Sequence, residues 1–430
     1  MNFGAQISST AKLFRNPAFR QSGMLFGSMG LNMLLGIVVS IVNTRYLGPE
    51  AYGKFKLLGN LYTLTPTLIT FGYFNSVGRL VAQQENHMRR NSLLGSGVVI
   101  ASIISLLMTG LLFILSFWIS EIFRTEVSAP LRYTLPFVFV FPLLNFLRSY
   151  CQGDNKIFAL SVIQVVPALM YCCGALLIVR YSNLALGTAL YLQLICLAVV
   201  VVGVLAALRP SFRGSIEGLH DIQSENKLCG VHLYLGSLAA VGSAQMFGLL
   251  IGFFVDVKTV GYFSLALAVC APLAFVGSVF GTVFFKKFSN IAAIPFKIQL
   301  SAFGACGLTF IVFVSLVEFL VLNFYGPDYA PVVSLAYLMG FGFMVHGLGD
   351  LYNRFLYAHG KGESVRNGAF VTAVVAVTFG FFLTRIYGGT GAAIAKLATS
   401  CTYFFMMVVL YVKERSRALK YGSPRNDAIA

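Results

Sequence analysis

The chain has 430 residues, of which 57% are hydrophobic and only 11% charged, with a mean hydropathy of +0.80; a soluble globular domain carries about 25% charged residues and is excluded. A net charge of +16 would suit nucleic acid if it were gathered on one polar surface. Here the cations lie in short segments between apolar runs, a pattern that reads as membrane topology and excludes nucleic acid as a partner.

A bilayer core takes about 20 apolar residues per helix, and polar breaks divide the chain into twelve such runs: 23–44, 57–78, 93–119, 129–150, 157–180, 185–208, 231–255, 261–285, 298–324, 330–357, 366–387 and 389–412. The start, amphipathic through Phe3, Ile7, Leu13 and Phe14, has no apolar core of its own, so the first span is expected to be retained. Pro66 in the second run and Pro272 in the eighth bend their helices and free a carbonyl. The longest polar stretch, from Arg209 to Leu228, reads as a linker at 209–229 between an N-terminal bundle, 1–208, and a C-terminal bundle, 230–430. Gly340, Gly342, Gly347 and Gly349 fall inside the tenth run, where close helix packing or local flexibility is expected and not a dinucleotide site. The chain has no GxxxxGK[ST] loop, no CxxC pair and no Cys/His cluster at zinc spacing, so ATP hydrolysis, a structural metal and a cofactor are not expected.

Of the 31 Lys and Arg residues, with those near the ends of runs counted with the adjoining connection, 22 lie in the termini and even-numbered connections, among them Lys12, Arg15, Arg20, Arg89, Arg90, Arg209, Arg213 and Lys413. The odd connections hold 8, and Lys396 sits within a span. The positive-inside rule places both termini in the cytoplasm.

The chain is also written twice. Glu50–Phe55 matches Lys258–Phe263 at an offset of 208 residues, which also sets Arg79 over Lys287. Arg148, Tyr150, Gly153, Asp154 and Lys156 are echoed by Arg354, Tyr357, Gly360, Lys361 and Glu363. Tandem bundles about one cleft are a common transporter plan. The fold expected is an all-α integral membrane protein with twelve transmembrane helices in two pseudo-symmetric six-helix bundles around a central cleft.

The segment Arg45-Tyr46-Leu47-Gly48-Pro49-Glu50-Ala51-Tyr52-Gly53 resembles the R-x-L-G-P-x-x-Y-G hallmark of Wzx-type polysaccharide exporters, members of the multidrug/oligosaccharidyl-lipid/polysaccharide (MOP) superfamily. Twelve spans, the six-plus-six repeat and the Gly153-Asp154-Asn155-Lys156 turn extend the resemblance over essentially the whole chain. Lipid II flippases of that superfamily usually carry fourteen spans. The resemblance implies a non-enzymatic, ion-coupled flippase in the bacterial inner membrane, moving undecaprenyl-diphosphate-linked oligosaccharide from the cytoplasmic to the periplasmic leaflet for O-antigen, capsule or a related glycan. It implies a polysaccharide polymerase and a chain-length regulator as partners. The runner-up is a multidrug or cation antiporter of the same superfamily, against which the excess of Lys and Arg over acids argues.

An anionic diphosphate needs a wet, cationic path, and charge within spans persists mainly where it faces a cavity. The candidate cations are Arg45, Lys54, Lys56, Arg79, Arg354 and Lys396, the last being the deepest. Each has a plainer alternative: Arg45 braces the Gly48-Pro49 turn, Arg354 anchors a helix end beside Asp350, and Arg79 or Lys396 snorkels or pairs locally. Asn32, Asn60, Asn75, Asn145, Gln245 and His346 are candidate polar lining, while Gln164 and Gln193 read as interhelical hydrogen-bond partners. For ion coupling the acids are Asp256, Glu318 and Asp350; a surface ion pair with Lys258 is the plainer role for Asp256, and a packing role the plainer one for His346.

Overall fold

A computed structural model describes residues 17–421, and every regular element among them is helical. The N-terminal amphipathic stretch with Lys12 and Arg15 lies outside the described residues. The principal helices are α1 (Pro17–Ile69), α2 (Tyr73–Gln83), α3 (His87–Leu115), α4 (Ser128–Val138), α5 (Val140–Gly153), α6 (Ile157–Tyr181), α7 (Leu186–Leu208), α8 (Ser215–Glu225), α9 (Val231–Phe254), α10 (Val257–Val283), α11 (Phe296–Leu320), α12 (Pro331–Ala358) and α13 (Gly362–Tyr421). Among the described residues nine helices are long and apolar enough to cross a bilayer, and α4 with α5, bent by 44°, supplies a tenth if the pair acts as one span. The protein is therefore a multi-pass membrane protein.

Local chemistry explains where these helices break. Gly48 interrupts α1 at φ 74°, ψ 170° and Gly388 interrupts α13 at φ 61°, ψ −136°, torsions that a side chain would make costly. Pro49 follows Gly48 at once and opens the next helical segment, where its missing N–H costs nothing. The α4–α5 bend falls at Phe139 because Pro142 has no N–H for the Val138 carbonyl and its ring crowds that turn. Ser105 hydroxyl donates to the Phe139 carbonyl at 2.8 Å, satisfying the bend from α3. Asn86 caps α3 by accepting from Met88 N–H at 2.9 Å, and Asp256 caps α10 by accepting from Thr259 N–H at 2.7 Å.

The chain packs as two compact units. Unit one comprises the described part of Met1–Leu47 with Tyr62–Ser120 and Glu126–Leu235; unit two comprises Gly48–Leu61, Glu121–Thr125 and the described part of Gly236–Ala430. The stretch read as a linker is a docked element of unit one. Its helix α8 lies along α2 and α3, with Arg89 paired to Glu217 at 3.2 Å and to Asp221, and Arg79 paired to Glu225 at 3.2 Å. Asn226, 7% exposed, then donates to the Phe71 carbonyl and accepts from the Ser76 hydroxyl, both at 3.1 Å.

In unit two, α10, α12 and α13 approach closely through glycine. A Cβ on Gly347 would lie 2.6 Å from the Ala274 carbonyl oxygen, one on Gly342 would lie 3.2 Å from Leu397 Cα, and one on Gly349 would lie 2.8 Å from the Tyr403 ring. Gly342 and Gly347 thus let helices meet backbone to backbone, while Gly340 and Gly349 make room for the Phe313 and Tyr403 rings. Phe288, Phe355 and Tyr411 meet in a buried apolar cluster of this unit.

Candidate functional site

The hallmark segment acquires its geometry first. Gly48 supplies the break, and the following turns belong to unit two, where Gly53 packs directly onto the Val257 carbonyl of α10. Reciprocally, a Cβ on Gly261 would lie 3.0 Å from the Pro49 carbonyl oxygen and 3.2 Å from Gly53 Cα. Tyr52, fully buried, meets Tyr329 edge-on at 6.3 Å between ring centroids, and Tyr262 meets the same ring at 5.9 Å. Tyr262 hydroxyl also donates to the Asp328 carbonyl at 3.0 Å. The hallmark residues Gly48, Pro49, Tyr52 and Gly53 are accounted for as a helix crossing.

The candidate cations are distributed over both units. In unit one Arg45 is exposed, and Arg79 is 44% exposed and engaged by Glu225. Asn32 is exposed and Asn145 half-buried. In unit two Lys54 is paired with Glu50 at 2.8 Å, one turn back, and Lys56 lies 5.3 Å from the Tyr52 ring centroid. Asn60 turns its amide toward Gly248 of α9, and Gln245 is half-buried on that helix. Gln164, expected to bridge helices, keeps a buried Oε1 with no protein partner.

Lys396 and His346 belong to one seam, between α12 and α13. The Lys396 ammonium sits 5.3 Å from the Phe343 ring centroid, a cation–π arrangement. One turn along α12, His346 stacks on Tyr403 of α13 with centroids 4.2 Å apart. Tyr403 hydroxyl donates to Asp350 Oδ1 at 2.8 Å and accepts from Asn353 Nδ2 at 2.5 Å. The exposed Arg354 follows, its stem against Gly281. The structure therefore joins two predicted residues, His346 and Asp350, through two that sequence reasoning passed over, Asn353 and Tyr403. A signal was present: His346, Asp350 and Asn353 recur at i, i+4 and i+7, as do Lys396, Ser400 and Tyr403.

The three candidate acids differ sharply in setting. Asp256 is exposed and its carboxylate caps α10 in place of the ion pair expected with Lys258. Glu318 lies exposed on α11. Asp350 alone of the three is held by a side chain from another helix.

Comparison with known proteins places these features in a family. The family model for "Polysaccharide biosynthesis protein" matches residues 18–292, well over half of the chain. Stage V sporulation protein B of Bacillus subtilis (strain 168) is 26% identical over 164 residues, which are 37% of this chain and 30% of that protein. The fold is that of lipid II flippase MurJ in an inward closed conformation, with a TM-score of 0.71, 13% identity and coverage of 92% of this chain and 90% of MurJ. A multidrug resistance MATE family transporter of the MOP superfamily, inward-facing, matches with a TM-score of 0.68, 14% identity and coverage of 93% of this chain and 100% of its own. With its multi-pass helical fold and a family match over residues 18–292, the chain belongs to the polysaccharide biosynthesis protein family.

Proposed function

We propose that this protein is a flippase that carries undecaprenyl-diphosphate-linked oligosaccharide repeat units from the cytoplasmic to the periplasmic leaflet of the bacterial inner membrane, by ion-coupled alternating access. The observation that carries the reading is the family match over residues 18–292, joined to a membrane fold that lipid II flippase MurJ also has. Counting two crossings in each of the long helices α1 and α13, both broken at glycine, and one in the bent pair α4–α5 gives the twelve spans read from the sequence. An even count sets both termini on one side of the membrane, and the loop charges favour the cytoplasmic side. Flipping makes and breaks no covalent bond, so the work falls to cationic and polar groups that replace water around the diphosphate. Lys56 and Lys396, both half-buried in unit two, are proposed for that role, with Arg45, Lys54, Arg79 and Arg354 nearer the span ends. A polymerase and a chain-length regulator would receive the product.

The MATE likeness supports a second reading, export of a cationic drug, which would need an acid in the path where this chain has an excess of bases. A deletion strain separates the two. Lipid-linked repeat units should accumulate on the cytoplasmic leaflet and the surface glycan should be lost. Normal glycan display in that strain, with no other flippase present, would favour the drug reading.

A further inference from the structure

Within unit one, the start of α1, the start of α6 and the end of α7 leave a groove of about 500 Å³ between them, a size within the ~300–1,000 Å³ range of small-molecule sites. Its walls are apolar: Met24 from α1, Ile157 and Phe158 from α6, and Ala207 and Leu208 from α7. Met24 is 44% exposed and Phe158 72% exposed, so the protein leaves this surface uncovered. Lys156, in the turn that leads into α6, brings charge to it. The helix ends that form the groove adjoin the N-terminus and the fourth and sixth connections, where the loop charges place the cytoplasm. The groove therefore lies at the depth where the acyl chains of one leaflet meet their headgroups.

The charge at its edge is positive and structurally fixed. Asp154 is shared by two cations, Arg90 on Oδ1 at 2.8 Å and Lys156 on Oδ2 at 3.0 Å. Two cations against one carboxylate leave one net positive charge. Lys156 keeps 38% of its side chain exposed while so paired, which leaves its ammonium open to a second anion. Arg209, exposed, follows Leu208 directly. Glu217 and Asp221 of α8, acids on the same side of the membrane, are taken up by Arg89. The repeat has no such surplus at the equivalent turn. Lys361 and Glu363 stand there in place of Asp154 and Lys156, and the pairs Lys361–Glu414 at 2.9 Å and Glu363–Arg366 at 3.3 Å balance charge for charge. The positive groove is thus a property of unit one and not of the repeated fold.

We propose that this groove binds an anionic phospholipid of the surrounding leaflet, with an acyl chain along Phe158 and Ala207 and the headgroup phosphate at Lys156 and Arg209. Charge complementarity selects the occupant: a zwitterionic lipid offers the same chain but no net charge to meet the surplus, whereas an anionic headgroup is drawn to cations at the membrane surface. The site stands apart from the flippase reading, because it is confined to unit one and includes none of the residues proposed to handle cargo.

The test uses the full chain in phosphatidylcholine nanodiscs into which phosphatidylglycerol is titrated at constant salt. Phosphatidylglycerol should raise the melting temperature saturably, and a photoreactive phosphatidylglycerol should crosslink within residues 155–159 or 207–209, mapped by mass spectrometry. Lys156→Ala should raise the phosphatidylglycerol fraction at half-effect by about fivefold, the loss of one cation near an anionic headgroup. Ala207→Trp, which fills the groove and leaves every charge in place, should abolish the crosslink. Lys413→Ala removes another exposed cytoplasmic cation and should change neither measurement. The site is overturned if crosslinks fall only outside those residues, or if Lys156→Ala behaves as Lys413→Ala does, which would mean diffuse surface attraction. Displacement of the crosslinked lipid by undecaprenyl diphosphate at equal concentration would also overturn it, since the groove would then hold cargo lipid. Should Ala207→Trp fail to fold, an unchanged midpoint in Lys156→Ala decides against the site.

Discussion

Gly53 and Gly261, equivalent residues 208 positions apart in a duplicated chain, cross each other at backbone distance: Gly53 lies on the Val257 carbonyl, and Gly261 on the carbonyl of Pro49. The contact is reciprocal, because Val257 is the repeat equivalent of Pro49. Two helices can approach this closely only where both lack a side chain at the crossing.

A side chain at this crossing should be poorly tolerated. Gly53→Val should lower the melting temperature by the equivalent of about 1–3 kcal/mol, the usual cost of overpacking, or reduce the yield of folded protein. Gly59→Ala, two turns away with nothing within 4 Å, should be neutral or slightly stabilising. Similar melting curves for the two variants would mean that the crossing does not constrain the fold.

Orientation is checked by labelling. Single cysteines at Thr125 and at the exposed Ser224, in a thiol-free background, should react from opposite sides of the membrane, Thr125 from the periplasm. Equal reaction of both from outside would reverse the topology derived from loop charges.

Lys396 can be tested for contact with the cargo. Lys396→Ala should sharply reduce glycan export at normal membrane abundance, while Lys396→Arg keeps part of it, since the charge survives and the geometry changes. Full export by the Ala variant would restrict Lys396 to its cation–π contact with Phe343 and move attention to Lys56.

Docking of α8 rests on few groups. Arg89→Ala removes the partner of both Glu217 and Asp221, and Asn226→Ala leaves the Phe71 carbonyl without its donor. Each should raise amide exchange in residues 215–230, more for Asn226→Ala because that site is buried, with about 1–3 kcal/mol at stake against about 1 kcal/mol or less for exposed ion pairs. Unchanged exchange in both variants would show that packing alone holds the helix.

How much of this was legible in advance depends on the kind of signal. The Gly48-Pro49 turn is legible in the sequence, and the structure places Gly48 at positive φ; the packing of Gly53 into a helix crossing is not legible there. Of the two roles open to the four glycines of the tenth run, close packing is the one the structure shows. Arg79 and Asp256 stood out as candidate site residues, yet one is engaged by Glu225 and the other caps a helix. Neither partner was visible, because Glu225 lies in a polar stretch whose docking no periodicity reveals, and a cap is recognised only once the helix start is fixed to the residue.

The sequence by itself determined the membrane class, the approximate spans and the duplication, since each follows from run length, charge placement or a repeated local motif. The break at Phe139 lies inside the single run 129–150, while Pro66 and Pro272 lie within continuous helical segments. Only the tertiary structure decided which polar groups meet: that Tyr403 joins Asp350 to Asn353, that His346 stacks on it, and that Gly53 faces Val257. The physical reason is that a helix surrounded by lipid is apolar on its outer face as well as its inner one, so its sequence carries almost no amphipathic signal for rotation. Rotation about the helix axis, which selects every side-chain partner across a seam, is fixed by packing against the neighbouring helix.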